Sequence, residues 1–270
     1  MFLYFSAMKR YRQYEPLTVS DFEVAQWHHP IHRHNHYELI YIKDGQGIHY
    51  IQQVANPYQR GDVFLLGPDD DHYFEIDIST HFVYIKFNNP YVYANSMPIG
   101  FLQQLEYLIK SRETHLRNYI IKASDQDIIA NIFNIVVALK KNLLHNEQLI
   151  WMQVLVLAAI LQRNMPELKP ASEKGSDMQA MFCYVHKHIY TPEKLKAAVM
   201  AAHFHTTTNY IGPYFKRNAG ITLREYIADY RATLINQRIA SQRYSLKELA
   251  AAFGLTDESH VLKSIKKVNK

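Results

Sequence analysis

The segment HHPIHRHNHYELIYIKDG, residues 28–45, sets five of the chain's 15 histidines and a glutamate ahead of a strand-like run. Successive side chains of a strand point to opposite faces. His32, His34, His36 and Glu38 therefore share one face if the strand starts that early. Imidazole nitrogen and carboxylate oxygen are ligands that zinc, iron or manganese accept. The same groups along one wall of a cavity would instead hydrogen-bond a hydroxylated organic molecule. A surface cluster with no role is the third reading. Tyr41, Tyr50, Tyr58, Tyr73 and Tyr84 lie on or near strands. Most belong in a core with the hydroxyl at its edge; Tyr41 and Tyr84 are candidates to stack on a ligand.

These side chains need a strand framework. YELIYIK (37–43) and GIHYIQ (47–52) flank DGQ, a hairpin-type turn, and GDVFLLG (61–67) and HFVYIKF (81–87) are two more short apolar runs. Many short strands punctuated by Gly, Pro and Asp predict a sandwich or small barrel over about residues 20–90. From about 99 the period becomes helical. Ile129, Ile132, Phe133, Val136, Leu139 and Leu143 recur at helical spacing, and QLIWMQVLVLAAILQR (148–163) is apolar nearly all round. Such helices pack within their own domain or at a subunit interface, and pattern leaves both open. NMPELKPASEKGSD (164–177) reads as a linker. The expected organisation is a sensor domain at 1–163, with the barrel and then helices over about 99–163, and an all-helical domain at 178–270.

The helical domain contains two similar units. In EKLKAAVMAAHFHTTTNYIGPYFKRNAG (193–220) an Ala-rich helix ends near His203, and Thr206 to Thr208 offer N-cap oxygens to a second helix. That helix is read as burying Tyr210, Ile211, Tyr214 and Phe215. Thr207, Thr208, Asn209, Gly212, Pro213, Lys216 and Arg217 remain to meet DNA. In SLKELAAAFGLTDESHVLKSIKKV (245–268) the turn falls at Gly254, and Thr256 or Asp257 opens the second helix. Val261, Leu262 and Ile265 are read as inside, with Thr256, Glu258, Ser259, Lys263 and Lys266 toward DNA. Each unit has the layout of a helix-turn-helix, with short polar residues for base edges and later Lys or Arg for phosphates.

With AAHFHTTTNYIGPYFKRNAGITLREYI, Arg231, SLKELAAAFGLTDESH and IKK, the sequence resembles the AraC/XylS family of transcription regulators. The resemblance covers about ninety residues well. It implies two helix-turn-helix units joined by one long helix, here LREYIADYRATLINQRIAS (223–241), reading two successive major-groove segments. It also implies a cupin-like barrel that binds a small effector, and helices that dimerise. H-x-H-x3-E-x6-G, from His32 to Gly45, matches the first cupin motif, and GDVFLLGPDDDH (61–72) resembles the second, with His72 where the last metal ligand would stand, which implies that His32, His34, Glu38 and His72 line the pocket. The pattern is not kept everywhere. Ala232 stands where Leu is usual, and Leu255, Val261 and Ile265 stand where Phe is usual. Pro213 sits inside the first recognition helix. The Pro68-to-His72 spacing is one residue shorter than the metal-binding form, which speaks against a complete shell of His32, His34, Glu38 and His72.

Composition bounds the rest. Of 270 residues, 48% are hydrophobic, enough for sizeable cores. The single cysteine, Cys183, permits no internal disulfide, and the longest apolar run, 149–161, is shorter than a bilayer needs. A cytoplasmic protein without membrane contact is expected. Residues 1–176 hold 16 Lys+Arg against 18 Asp+Glu, whereas 177–270 hold 14 against 7, so the helical domain carries the positive charge. The expected fold is α+β and multidomain, a cupin-like barrel with a helical dimerisation segment followed by a double helix-turn-helix domain. The expected function is a ligand-responsive, sequence-specific DNA-binding regulator, not an enzyme and without a cofactor. Its partners are double-stranded DNA, a small effector such as a sugar, a second copy of the chain and RNA polymerase. A metal-dependent cupin enzyme with a helical appendage, and an architectural DNA binder without ligand control, are the rivals.

Overall fold

The computed structural model describes residues 9–68, 70–94, 98–111, 118–119, 121–165 and 176–265. Lys266 and residues 166–175 of the expected linker lie outside the described residues. Two compact units separate, residues 1–92 with 100–165, and residues 93–99 with 166–270.

The first unit is built on β1 (Lys9–Tyr11), β2 (Leu17–Val24), β3 (His32–His34), β4 (Tyr37–Ile51), β5 (Val54–Gln59), β6 (Val63–Leu66), β7 (His72–Phe87) and β8 (Asn118–Tyr119). They form one sheet in the order β1-β3-β7-β4-β6-β8, with β2 against β7 and β5 against β4. The cupin-like framework thus rests on two long strands, β4 and β7, paired antiparallel along most of their length. Alternation sends Ile40 and Ile42 of β4 inward to a cluster with Phe64, Phe74, Phe82 and Tyr84.

Two sequence expectations change here. DGQ is not a hairpin turn. β4 runs through it, and the register against β7 shifts between Ile42 and Gly47, so the segment is a bulged bend. Gly45 sits there at φ +99°, where an added Cβ would lie 2.6 Å from the Ser79 carbonyl oxygen. The hairpin turn falls later, at Gln52 and Gln53, both left-handed at φ 49° and 65°. That is the geometry of a tight two-residue turn, made without the Asn-Gly signal that usually announces it.

Helices α1 (Asn89–Ala94), α2 (Ile99–Ser111), α3 (Ala123–Leu139) and α4 (Leu143–Arg163) follow the strands. Asp125, near the start of α3, accepts hydrogen bonds from Arg163 and from Asn164 Nδ2, clamping it to the end of α4. By length and composition the α3–α4 stretch qualifies as a membrane-span candidate. In this fold Ile129, Phe133, Val136, Val154, Leu157 and Leu161 are buried within the unit.

The second unit is helical: α5 (Ser176–His188), α6 (Ala197–His203), α7 (Thr208–Ala219), α8 (Leu223–Ala240), α9 (Leu246–Ala252) and α10 (Glu258–Ile265). α6 turns into α7, α9 turns into α10, and α8 joins the pairs. Capping boxes Thr222/Glu225 and Ser245/Glu248 start α8 and α9. Asp257 caps α10, its Oδ1 accepting from His260 N at 3.0 Å. α7 begins after Thr207, but no threonine side chain caps it. Ile211, Tyr214 and Phe215 are buried as expected, while Tyr210 is 47% exposed and Leu262 is 45% exposed. Both lie one position off the buried stripe of a short helix, and in so short an element periodicity separates adjacent positions poorly.

Candidate functional site

In the first unit a cavity of about 540 Å³ is lined from β1, β2, β3, β4 and β7. Glu38 organises it. Its Oε1 accepts from Lys86 Nζ at 2.8 Å and lies 3.0 Å from His36 Nε2. Glu38 and Lys86 are direct cross-strand partners. Its Oε2 is buried without a hydrogen-bond partner among the described residues, 4.0 Å from His34 Nε2 and 3.7 Å from His72 Nε2. Those two nitrogens are likewise buried and unpartnered.

The charge states follow from burial and neighbours. Burial alone would push Glu38 up, but Lys86, aided by the His36 hydrogen bond, holds its carboxyl well below the usual range. Burial pushes His34 and His72 down, which favours the neutral imidazole and leaves its free nitrogen able to offer a lone pair. His49, also pushed well down by burial, sets its Nε2 3.0 Å from His72 Nδ1. His34 Nδ1 donates to the His36 carbonyl at 2.6 Å, which leaves Nε2 free to coordinate.

Three unpartnered atoms of His34, Glu38 and His72 within 4.8 Å of one another fit a divalent transition-metal ion with open positions. His32 stands beside them without joining. Its Nδ1 donates to the Pro30 carbonyl at 2.9 Å, and its ring centroid is 4.4 Å from that of His72. The short PDDDH spacing still brings His72 to His34 and Glu38, while His32 is not among the grouped ligand atoms. Asp70 is buried and accepts from Gly67 N at 2.9 Å and Gln52 Nε2 at 3.1 Å. The loop it shapes delivers His72 to the start of β7, in register with His32.

Two residues that line the cavity carry unmatched donors among the described residues. The Tyr84 hydroxyl and Trp27 Nε1–H are buried without partners among the described residues, and burial holds the hydroxyl pKa well up, so it stays a donor. Of the six pocket candidates, His32, His34, Glu38, His72 and Tyr84 line this cavity. Tyr41 does not. It lies on the opposite face of β4 and stacks on Phe133 of α3 at 4.6 Å, because odd and even positions of the strand part company. Sequence reasoning missed Lys86, Trp27 and Arg12 as lining residues. Lys86 was readable, since it alternates with Tyr84 on one face of HFVYIKF.

In the second unit Thr207, Thr208 and Asn209 are exposed at the start of α7, with Pro213, Lys216 and Arg217 exposed further along and Gly212 half-buried. Pro213 leaves α7 continuous but supplies no N–H toward Asn209. Arg217 lies over the Tyr214 ring at 5.6 Å. Thr256, Glu258, Ser259 and Lys263 are exposed before and along α10. One groove brings Thr208, Asn209, Gly212, Pro213 and Lys216 together with Lys263, whereas Thr207, Arg217, Thr256, Glu258 and Ser259 lie outside it.

Comparison with known proteins adds three kinds of likeness. Residues 17–96 match the family model of the AraC-like ligand binding domain. An HTH-type transcriptional regulator, YfiF, of Bacillus subtilis is 18% identical over 230 residues, covering 84% of this chain and 72% of its own. The Msm operon regulatory protein of Streptococcus mutans is 22% identical over 236 residues, covering 86% and 80%. Among solved structures, unsaturated fatty acid bound ToxT from Vibrio cholerae is 12% identical, covers 93% of this chain and 91% of its own, and has a TM-score of 0.34.

Proposed function

We propose, from the premise that this chain is a transcription regulator of the AraC/XylS type, that its barrel cavity binds a small effector and its helical unit binds duplex DNA. The observation that carries the DNA half is the repeated geometry of α6–α7 and α9–α10, each with polar and basic side chains exposed on its second helix. The effector half rests on the cavity beside Glu38, where unmatched donors from Trp27 and Tyr84 await an oxygen-bearing ligand. A sugar or another hydroxylated molecule has that chemistry. A cytoplasmic homodimer that engages RNA polymerase at its promoters completes the reading. The effector acts by changing whether two DNA-binding units occupy their half-sites together.

The test is selection of bound duplexes from a random-sequence pool by the full chain. Enrichment of two segments about one helical turn apart is expected. A pool recovered without any enrichment would sink the regulator reading.

A second reading of the cavity is favoured by the three unpartnered atoms of His34, Glu38 and His72. These residues would hold a divalent cation, whose positive charge would fix an effector oxygen. Lys86 and His36 keep Glu38 ionised for that role. Tag-free protein should then contain close to one equivalent of zinc, iron or manganese by elemental analysis, lost on His72→Ala. Metal-free protein that still answers its effector would return the cavity to a purely organic ligand.

A further inference from the structure

The groove of the second unit has a floor that the recognition residues do not explain. It measures about 1160 Å³ and is walled by α7 on one side and α10 on the other. Its floor is one face of α8, where Arg224, Ile227, Ala228 and Arg231 line it together. Lys216 and Lys263 add positive charge from the walls, and no Asp or Glu lines the groove among the described residues.

Arg231 is the unusual member. Its Nε is buried and has no hydrogen-bond partner among the described residues. Burial holds its pKa below the ordinary guanidinium value, and no carboxylate offsets that cost. A half-buried guanidinium without a counter-ion is costly to maintain, and an arriving anion relieves it. Guanidinium also matches phosphate oxygens with two parallel N–H bonds.

We propose that this groove seats the DNA backbone between the two segments that α7 and α10 read, with Arg231 and Arg224 as its phosphate anchors. The two arginines are seven residues apart on one helix face, about 10 Å along the axis, which is the rise of about three base steps. Between them Ile227 and Ala228 present a low apolar surface against which deoxyribose can lie. The anchors set register and orientation while the walls read sequence.

This inference rests on the DNA-binding reading, and the experiment separates the two. Binding of the full chain to a random-sequence 30-base-pair duplex is measured as a function of salt, for wild type and for Arg231→Met and Arg231→Lys. Arg231→Met keeps most of the aliphatic stem, and thermal melting checks that the unit stays folded. The expected result is affinity about tenfold lower for Arg231→Met and a log–log salt slope shallower by about 0.9, with the slope restored by Arg231→Lys. A folded Arg231→Met with the wild-type slope and affinity overturns the anchor and leaves DNA binding standing. Wild type that binds no duplex overturns the regulator reading and the anchor with it.

Discussion

His205 and Gly254 occupy the same place in two copies of one turn. In each copy a phenylalanine N–H closes the first helix, Phe204 on Met200 and Phe253 on Leu249. Two residues on, Thr206 N bonds Ala201 O and Leu255 N bonds Ala250 O. The residue between is left-handed in both, at φ 51° for His205 and 60° for Gly254. At Gly254 an added Cβ would meet Pro192 Cδ at 2.7 Å, so glycine is required there on two grounds. His205 bears the left-handed conformation with a side chain, at a cost of about 1 kcal/mol. His205→Gly should therefore raise stability by up to about 1 kcal/mol, less the added entropy of the unfolded chain, as read by denaturant midpoint. A lower midpoint would mean that the imidazole makes contacts worth more than the strain. His188 supplies a pH test. Burial chiefly, then Lys187, Lys194 and His203, lower its pKa from 6.5 to about 4. Between those values the unfolded chain takes up a proton that the folded chain refuses, so stability is full above 6.5 and falls as the pH drops toward 4. His188→Gln should flatten that acid limb; an unchanged limb would assign it to other groups.

At the scale of elements, β4 shows what a sequence can and cannot disclose. Its inward positions were legible, because period-2 alternation fixes which side chains share a face once a strand is granted. That places Glu38 with Ile40 and Ile42 and sets Tyr41, an odd position, on the other face, while His34 belongs to β3 and reaches Glu38 across the bend at 35–36. The bulge at Asp44–Gln46 was not legible, since DGQ is equally good chemistry for a turn and for a bend. The choice depends on β7 lying alongside, a contact made thirty residues away. Likewise the turn at Gln52–Gln53 carries no glycine, and the Asp70 loop that brings His72 to the site shows only in three dimensions. Gly45 lets this be tested. Gly45→Ala would force a Cβ to 2.5 Å from Thr80 Oγ1 at positive φ, while Gly61→Ala has the same left-handed φ but open space around it. Gly61→Ala should cost about 1 kcal/mol from φ strain alone, and Gly45→Ala distinctly more. Equal losses would show that β4 relaxes freely at the bulge.

At the scale of the whole molecule, the first unit leaves apolar surface uncovered on its helices. Ile128 and Ile135 of α3, seven apart, are 43% and 46% exposed. Leu149, Met152 and Val156 of α4 follow one another at steps of three and four, at 49%, 59% and 41%. Single exposed hydrophobes are ordinary, but a helical stripe of them is the pattern of a surface that meets another surface. The opposite face of α4, with Ile150, Trp151, Val154 and Leu157, is already spent on the unit's own core. The inner face is thus spent on the core, and we propose the outer one as the surface that meets a second copy. A regulator that reads two half-sites gains from this, because the second DNA-binding unit then arrives at high effective concentration. Light scattering should find a dimer of the full chain. Met152→Glu with Leu149→Glu should give a folded monomer, since both side chains are already largely in solvent and carry little of the core. That monomer should keep its affinity for one half-site and lose the added affinity for a paired one. Wild type that stays monomeric at high concentration would rule out the stripe as the interface, and control of pairing would then need another surface.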